Sequence, residues 1–522
     1  MRSSIIYVIA LAMLTSCGSD DPNEIITPDN GSGNETPSSG SGSETPSSGT
    51  SQSSYTELYR PQLHYTPARN WVNDPNGMVY QDGTWHLFYQ YNPYGNSWGN
   101  MSWGHATSTD LVHWSEKSVA LTRDDLGDIF SGSAVIDKDN TSGLGANAII
   151  ALYTSSGTHQ QQSLAYSTDG GTTFQKFAGN PVVANTTRND FRDPKVFWHE
   201  GTKRWVMCLA LGYEYGVQLL TSTDLRTWRE ASTFTTDVQR CKRGQWECPD
   251  LFPLTYTDGT TKWVLVVSVN PGGPTSGSGT MYFIGDFDGE KFVADETLSY
   301  PLWLDYGMDN YAGVTWSNAP DDRRILLGWM NNWLYSGDVP CDPWRSAFTL
   351  PRELSLVTYQ GKPLLASRPV AEFDKLASQW QTPSSADGLM TLPTQTSTLH
   401  VQVTLSASTA NVITLANGSG ESMAFTYSPS AGSLIAKRNS STGAATFNGS
   451  FSLPSITASL CNEAEQLTLD FYIDQSSVEV FTANGSMAMT NLVFPTGGIY
   501  NHVTLSSSAQ TLRYRTFNSI WQ

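Results

Sequence analysis

The chain has 522 residues with a formal net charge of −18, yet only 15% of them are charged, and it holds 17 Trp and 23 Tyr. That length exceeds one ordinary core and implies two globular parts. The acidic balance opposes nucleic acid or any polyanionic substrate and is indifferent to an uncharged ligand such as a sugar, for which the abundant aromatic side chains suit a binding surface.

In chain order, residues 1–17 predict a lipoprotein signal peptide: Arg2 supplies the positive charge, an apolar stretch follows, and Leu14-Thr15-Ser16-Cys17 resembles a lipoprotein cleavage site. The apolar stretch is too short for a permanent membrane span. Cleavage before Cys17 would leave that cysteine lipidated, and Gly18-Ser19-Asp20-Asp21 resembles an acidic tag for the cell surface. The expected location is therefore an exported, outer-membrane lipoprotein exposed at the cell surface, touching the membrane only through its lipid. Residues 18–54, nearly all Gly, Ser, Thr, Pro, Asn and Glu, lack the apolar surface to fold and predict a disordered tether.

Residues 55–368 are strand-dense. Short β-branched or aromatic runs at 85–91, 148–153, 205–210 and 263–268 are bounded by Gly, Asp or Asn, with no sustained helical period. A weak repeat runs through them: Ser108-Thr109-Asp110-Leu111-Val112-His113-Trp114, then Ser167-Thr168-Asp169, then Ser222-Thr223-Asp224-Leu225-Arg226-Thr227-Trp228, then a degenerate Asp286-Phe287-Asp288. The copies start roughly 55 to 64 residues apart, a period that suits propeller blades, and roughly 300 residues give five of them.

Three acidic motifs share one phase of this repeat: Asn73-Asp74-Pro75-Asn76-Gly77, Arg192-Asp193-Pro194 and Trp246-Glu247-Cys248-Pro249. In a radially repeated fold, equal phase means equal height and equal distance from the axis, so the three carboxylates should converge on one central pocket. The same phase falls at Phe130-Ser131 in the second copy and near Asp309-Asn310 in the degenerate one. Trp98, Trp103 and Trp333 offer aromatic faces on which sugar C–H groups could stack.

Residues 369–382, with Val370-Ala371-Glu372-Phe373 leading to Trp380, predict a connector helix, and the alternating runs of 383–522 predict a β-sandwich. Beyond Cys17 the chain has five cysteines, an odd number that rules out complete pairing; Cys241 and Cys248 are close enough to pair.

Hydrolysis of a glycosidic bond needs one protonated and one ionised carboxyl. Asp74, flanked by Asn73 and Asn76, suits an ionised nucleophile. Glu247, between Trp246 and Cys248-Pro249, has apolar neighbours that should raise its pKa and suit an acid/base. Asp193 follows Arg192, a cation that favours its ionised form and suits it to binding or charge stabilisation.

These motifs, with Phe88-Tyr89-Gln90-Tyr91-Asn92-Pro93, Trp103-Gly104-His105-Ala106, Asp305-Tyr306-Gly307-Met308-Asp309-Asn310 and Pro343-Trp344-Arg345, resemble glycoside hydrolase family 32, which includes invertases, levanases and inulinases. The resemblance implies an all-β chain, a five-bladed β-propeller followed by a β-sandwich, retaining chemistry on β-fructofuranosides, and no metal or cofactor. It implies Asp74 as nucleophile, Glu247 as acid/base and Asp193 as transition-state stabiliser. Asn73, Asn76, Gln90, Trp98, Phe130, Ser131, Arg192 and Trp333 would line the fructose subsite. The expected substrate is a neutral fructan, levan or inulin, cut from its ends. Endo action, a preference for sucrose and short oligosaccharides, and a non-catalytic fructan binder are the alternatives.

Overall fold

Five antiparallel meanders follow one another along the chain, and each begins with a strand at or beside one of the phased motifs. In the computed structural model the described residues are 55–256, 258–386, 389–393, 398–438, 447–452 and 455–521. Blade 1 comprises Asn70–Gln81, Thr84–Tyr91, Ser102–Ser108 and Ser115–Leu121; blade 2 Asp128–Asp137, Ala148–Ser156, Gln160–Ser167 and Gln175–Lys176; blade 3 Arg192–His199, Arg204–Leu211, Gly216–Ser222 and Arg229–Thr235. Blade 4 comprises Gln245–Thr255, Thr261–Asn270, Gly279–Phe287 and Phe292–Ala294, and blade 5 Tyr311–Thr315, Ile325–Met330, Arg352–Tyr359 and Lys362–Pro369. The first strands touch in the order 1 to 5, and that of blade 5 touches that of blade 1, so they form the inner wall of a closed ring. A parallel pairing of Asn70 with Trp344 helps seal it. Closure removes the exposed edges an open sheet would present.

The serine–aspartate repeat is the turn from the third to the fourth strand of a blade. Ser108 Oγ donates to Asp110 Oδ1, which accepts the amides of Val112 and His113; Leu111 turns at φ 65° and Trp114 Nε1 donates to its carbonyl. Ser222, Asp224, Leu225 and Trp228 form the same pattern in blade 3. Short carboxylate side chains that bond their own downstream amides make such turns self-sufficient.

The C-terminal part is a sandwich of a seven-stranded and a five-stranded antiparallel sheet. Strands such as Leu399–Ser406 and Asn411–Ala416 alternate buried with half-buried residues, and the buried set fills a core with Phe425, Leu469 and Phe471.

The connector contradicts the expected helix. Only Ala371–Lys375 winds, as a single 3₁₀ turn, because the following backbone bonds sideways to the sandwich. The Ser378 amide donates to the Thr516 carbonyl and the Gln381 amide to that of Tyr514, both at 2.8 Å.

Propeller and sandwich meet through buried charge. Arg352 Nη1 donates to Asp305 Oδ2 at 2.8 Å, and Nη2 pairs with Glu479 and donates to Thr490 Oγ1 at 2.5 Å. His64 bonds Asp474 at 2.7 Å and Glu479 at 2.9 Å. These partners push the His64 pKa up to about 9 despite its burial, and hold Glu479 down to about 2 against its own burial. The segment from Asp305 to Asp309 runs along the sandwich strand Ala488–Leu492, with the Tyr306 amide on the Ala488 carbonyl and that of Asp309 on the Thr490 carbonyl. The first and last described residues form a clasp. The Gln62 and Leu63 amides donate to the Asp474 carboxylate, the Ile520 amide to the Gln62 carbonyl, Trp521 Nε1 to the Pro61 carbonyl, and the Tyr55 ring stacks on Trp521 at 3.9 Å.

Candidate active site

Each inner strand carries a bulge beside the residue at the common phase. Pairing with the second strand slips between Val72 and Pro75, Ile129 and Gly132, Arg192 and Lys195, Glu247 and Asp250, and Tyr311 and Val314. Asp193, Cys248 and Ala312 take left-handed φ values of 64°, 47° and 53°. A bulge re-aims side chains and tolerates strain that a regular ladder would not, so five strands of ordinary β sequence present converging groups at one end of the axis.

Three carboxylates meet there. Ser131 Oγ donates to Asp74 Oδ2 at 2.6 Å and Asn73 Nδ2 to Asp74 Oδ1 at 3.1 Å. Asp193 Oδ2 accepts the Cys248 amide at 2.9 Å, and the Cys248 thiol stands 3.5 Å from Asp74 Oδ2 and 3.6 Å from Asp193 Oδ2, bridging the two acids. Arg192 Nη2 donates to Glu247 Oε1 at 2.7 Å, with Nη1 held by Asp190 at 2.7 Å and Gln160 at 3.1 Å. The Tyr311 hydroxyl donates to Glu247 Oε2.

Burial raises the Asp74 pKa, opposed by the Ser131 hydrogen bond; Glu247 pushes the same way as burial. Asp193 is pushed up to about 7, by burial first; Arg192 opposes the shift, and the charges of Glu247 and Asp74 add to it. At both aspartates removal from water and the neighbouring carboxylates thus work against the ionised form that the nearby amides and guanidinium favour. Glu247 is also not in the apolar setting its neighbours in sequence suggested, since the Trp246 ring turns into the core and Arg192 and Tyr311 face the carboxyl.

The remaining expected residues divide into three groups. Ser131 and Asn73 touch Asp74 directly, and Arg192 touches Glu247. Asn76 and Gln90 form a buried layer behind them: with its amide oriented to suit both neighbours, Asn76 donates to Ser131 Oγ at 3.3 Å and accepts from Gln90 Nε2 at 3.0 Å. Aromatic rings form the third group. Trp333 stacks on Trp71 with centroids 6.0 Å apart, and Trp98, 51% exposed, stands edge-on to Phe130 at 6.1 Å. Trp103 is core, its ring against Phe88 and Tyr153.

Asp309 does not reach the site. Its fully buried carboxylate accepts from Tyr335 Oη at 2.5 Å, Arg438 Nη1 at 3.2 Å and the Leu492 amide at 2.7 Å, which commits it to the sandwich contact. The residue at the common phase of blade 5 is Tyr311, which sequence reasoning missed by two positions. In sequence Cys248 stands out only as a motif neighbour of Glu247. The phase rule itself could have found Tyr311, had the start of the fifth inner strand been legible. Cys17 lies outside the described residues. All five described cysteines carry free thiols, so Cys241 and Cys248 are unpaired. Among the described residues no group of three or more His, Cys, Asp or Glu side chains is arranged to hold a metal ion.

Residues 64–369 match the Glycosyl hydrolases family 32 N-terminal domain, and residues 371–521 match that family's C-terminal domain. The chain is 44% identical over 461 residues to a levanase of Bacillus subtilis, covering 85% of this chain and 67% of that protein. It is 37% identical over 505 residues to an extracellular exo-inulinase of Aspergillus niger, covering 88% and 94%. It superimposes on the crystal structure of exo-inulinase from Aspergillus awamori with a TM-score of 0.82 at 34% identity, covering 90% of this chain and all of that one.

Proposed function

The chain belongs to glycosyl hydrolase family 32, and on that footing we propose that it is a retaining β-fructofuranosidase that hydrolyses the fructans levan or inulin from their ends. The observation that carries the chemistry is the set of three carboxylates, one from each of three inner strands, linked through Cys248 and Arg192. In this reading Asp74 attacks the anomeric carbon of a terminal fructosyl unit while Glu247 protonates the leaving oxygen. Water, deprotonated by Glu247, then releases fructose from the covalent intermediate. Asp74 Oδ2 is engaged by Ser131 and Cys248, whereas Oδ1 keeps one longer bond to Asn73, which supports Oδ1 as the attacking atom. Asp193 accepts from ring hydroxyls, bonds that strengthen as positive charge develops on the sugar. Asn73, Ser131 and Arg192 hold the acids, Asn76 and Gln90 brace them, and Trp98, Phe130 and Trp333 wall the fructose subsite; Asp309 is left out.

Residues 55–368 serve as the catalytic propeller and 383–522 as a supporting sandwich. Export is supported by relatives named as extracellular enzymes. Lipidation at Cys17 and a tether over 18–54 would hold the enzyme at the cell surface, a location that favours a polymer over sucrose, because small sugars need no processing outside the cell. The test is product analysis on levan, inulin and sucrose. Free fructose as the sole early product from a polymer is expected. An early ladder of oligosaccharides would replace end-wise action with endo action, sucrose as the only good substrate would replace the polymer, and no cleavage of any of the three would leave a fructan binder.

A further inference from the structure

Trp333 stands on the loop that leaves the second strand of blade 5, Ile325–Met330, and ends at Trp344. Inner strands start at the acids and run away from them, so second strands run back, and this loop crosses the catalytic face. The propeller holds Trp333 by its ring and its amide. The ring packs against Trp71 and Trp329, with centroids 6.0 and 4.9 Å away, and the amide donates to Ser278 Oγ at 3.0 Å.

The residues on either side of Trp333 are tied elsewhere. Before it, the buried Asn332 donates through Nδ2 to the Met308 carbonyl at 2.7 Å, and Met308 belongs to the segment docked on the sandwich strand Ala488–Leu492. After it, Asn448 of the sandwich donates through Nδ2 to Asp338 Oδ2 at 2.6 Å and to the Leu334 carbonyl at 3.5 Å. The buried Tyr335 hydroxyl donates to Asp309 Oδ1 at 2.5 Å and accepts from Arg438 Nη2 at 3.1 Å. Arg438 ends the sandwich strand Ser433–Arg438. Its Nη1 donates to Asp309 Oδ2 at 3.2 Å and to the Leu492 carbonyl at 3.0 Å, and its guanidinium lies 4.0 Å from the centre of the Phe451 ring. Phe451 in turn packs edge-on against Tyr335 at 5.3 Å. A planar fork of donors held by several acceptors and a ring has one arrangement, not several, so Tyr335 is fixed by the sandwich. Residues 332, 334 and 335 thus bracket Trp333, and each is anchored on the sandwich directly or through the segment 305–309. With only two soft dihedrals per residue, a chain pinned on both sides of one position leaves its side chain little choice of direction.

We propose that the sandwich sets the position of the Trp333 ring, with Asn448 and Tyr335 as positioning residues for the fructose subsite. This rests on the reading of Trp333 as a wall of that subsite. Asp309, which stands outside the site, still acts on it through Tyr335. The sandwich is then part of the construction of the substrate pocket as well as a support for the ring of blades.

The experiment is a pair of double-mutant cycles, Asn448→Ala with Trp333→Ala and Tyr335→Phe with Trp333→Ala, read as KM and kcat on sucrose beside the melting temperature. Each change at 448 or 335 is expected to raise KM about fivefold, the worth of one hydrogen bond. The kcat stays nearly unchanged, because a ring that grips ground state and transition state alike contributes uniform binding. In the Trp333→Ala background neither change raises KM further. Asn448 is half-buried at the sandwich surface, so Asn448→Ala serves even if Tyr335→Phe fails to fold. Unchanged KM in Asn448→Ala overturns the proposal, whatever the melting temperature does, as does a rise in KM that simply adds to that of Trp333→Ala. No cleavage of sucrose, levan or inulin by the wild-type protein would defeat the hydrolase reading instead. The same cycles are then run on fructose affinity by calorimetry, and the same two outcomes decide.

Discussion

A buried carboxyl next to two others must give up either solvation or charge, and burial pushes the pKa of Asp193 up from 3.8 to about 7. Its neutral form is favoured by folding, so the associated destabilisation is absent below pH 3.8 and complete above about 7. Asp193→Asn should therefore raise the melting temperature by several degrees at pH 7.5 and hardly at all at pH 4, while lowering kcat far more than it raises KM. Thermal scans at the two pH values and steady-state kinetics on sucrose check both halves; equal melting temperatures at pH 7.5 would contradict the assigned cause. Tyr311 holds Glu247 by one hydrogen bond, so Tyr311→Phe should cost about 10-fold in kcat/KM, with the fold intact by circular dichroism. Asp74, Asp193 and Glu247 were legible because each sits in its own motif at one repeat phase. Asp309 misled because the same phase, counted through blade 4, runs into a segment whose register is set by the sandwich strand beside it, a contact no local pattern reveals.

At the scale of elements, the inner strands are the informative unit. Strand runs, turn residues and the repeat period together were enough to anticipate five blades, since each blade is a local meander. The bulges were not legible, because left-handed φ at Asp193, Cys248 and Ala312 falls on residues with no glycine to announce it. The connector failed for a related reason: its amphipathic run is real, but its amides bond to the strand Thr511–Thr516, and tertiary pairing wins over a short helical preference. Gly307 marks the tightest approach of the docking segment to the sandwich. A Cβ there would lie 2.1 Å from the Thr490 carbonyl oxygen, a clash with backbone that cannot turn aside. Gly307→Ala should lower stability by about 1–3 kcal/mol, read as an earlier midpoint in urea; an unchanged midpoint would mean that the segment can lift off without loss.

For the whole molecule, the joint between propeller and sandwich makes stability depend on pH at both ends. His64, raised from 6.5 to about 9, contributes fully below pH 6.5 and loses its contribution as pH climbs through 9. Glu479, lowered from 4.5 to about 2, contributes fully above pH 4.5 and loses it as pH falls through 2. With respect to this joint, the protein should be most stable between pH 4.5 and 6.5, and His64→Gln should flatten the alkaline side of the melting curve while lowering its plateau. An alkaline limb unchanged in that variant would point to another titrating group. Neither half of the joint is legible in sequence, because His64 and Glu479 are 415 positions apart.

The clasp between the first and last described residues also has a mechanical consequence. A pull applied at Tyr55 meets the Trp521 ring, the Asp474 carboxylate and the Ile520 amide before it reaches Asn70 and the blade that carries Asp74. Tension is thus shared in parallel among several anchors on the sandwich, rather than peeling the ring open from its first strand, and the catalytic geometry is shielded from whatever drags on the leading end of the chain.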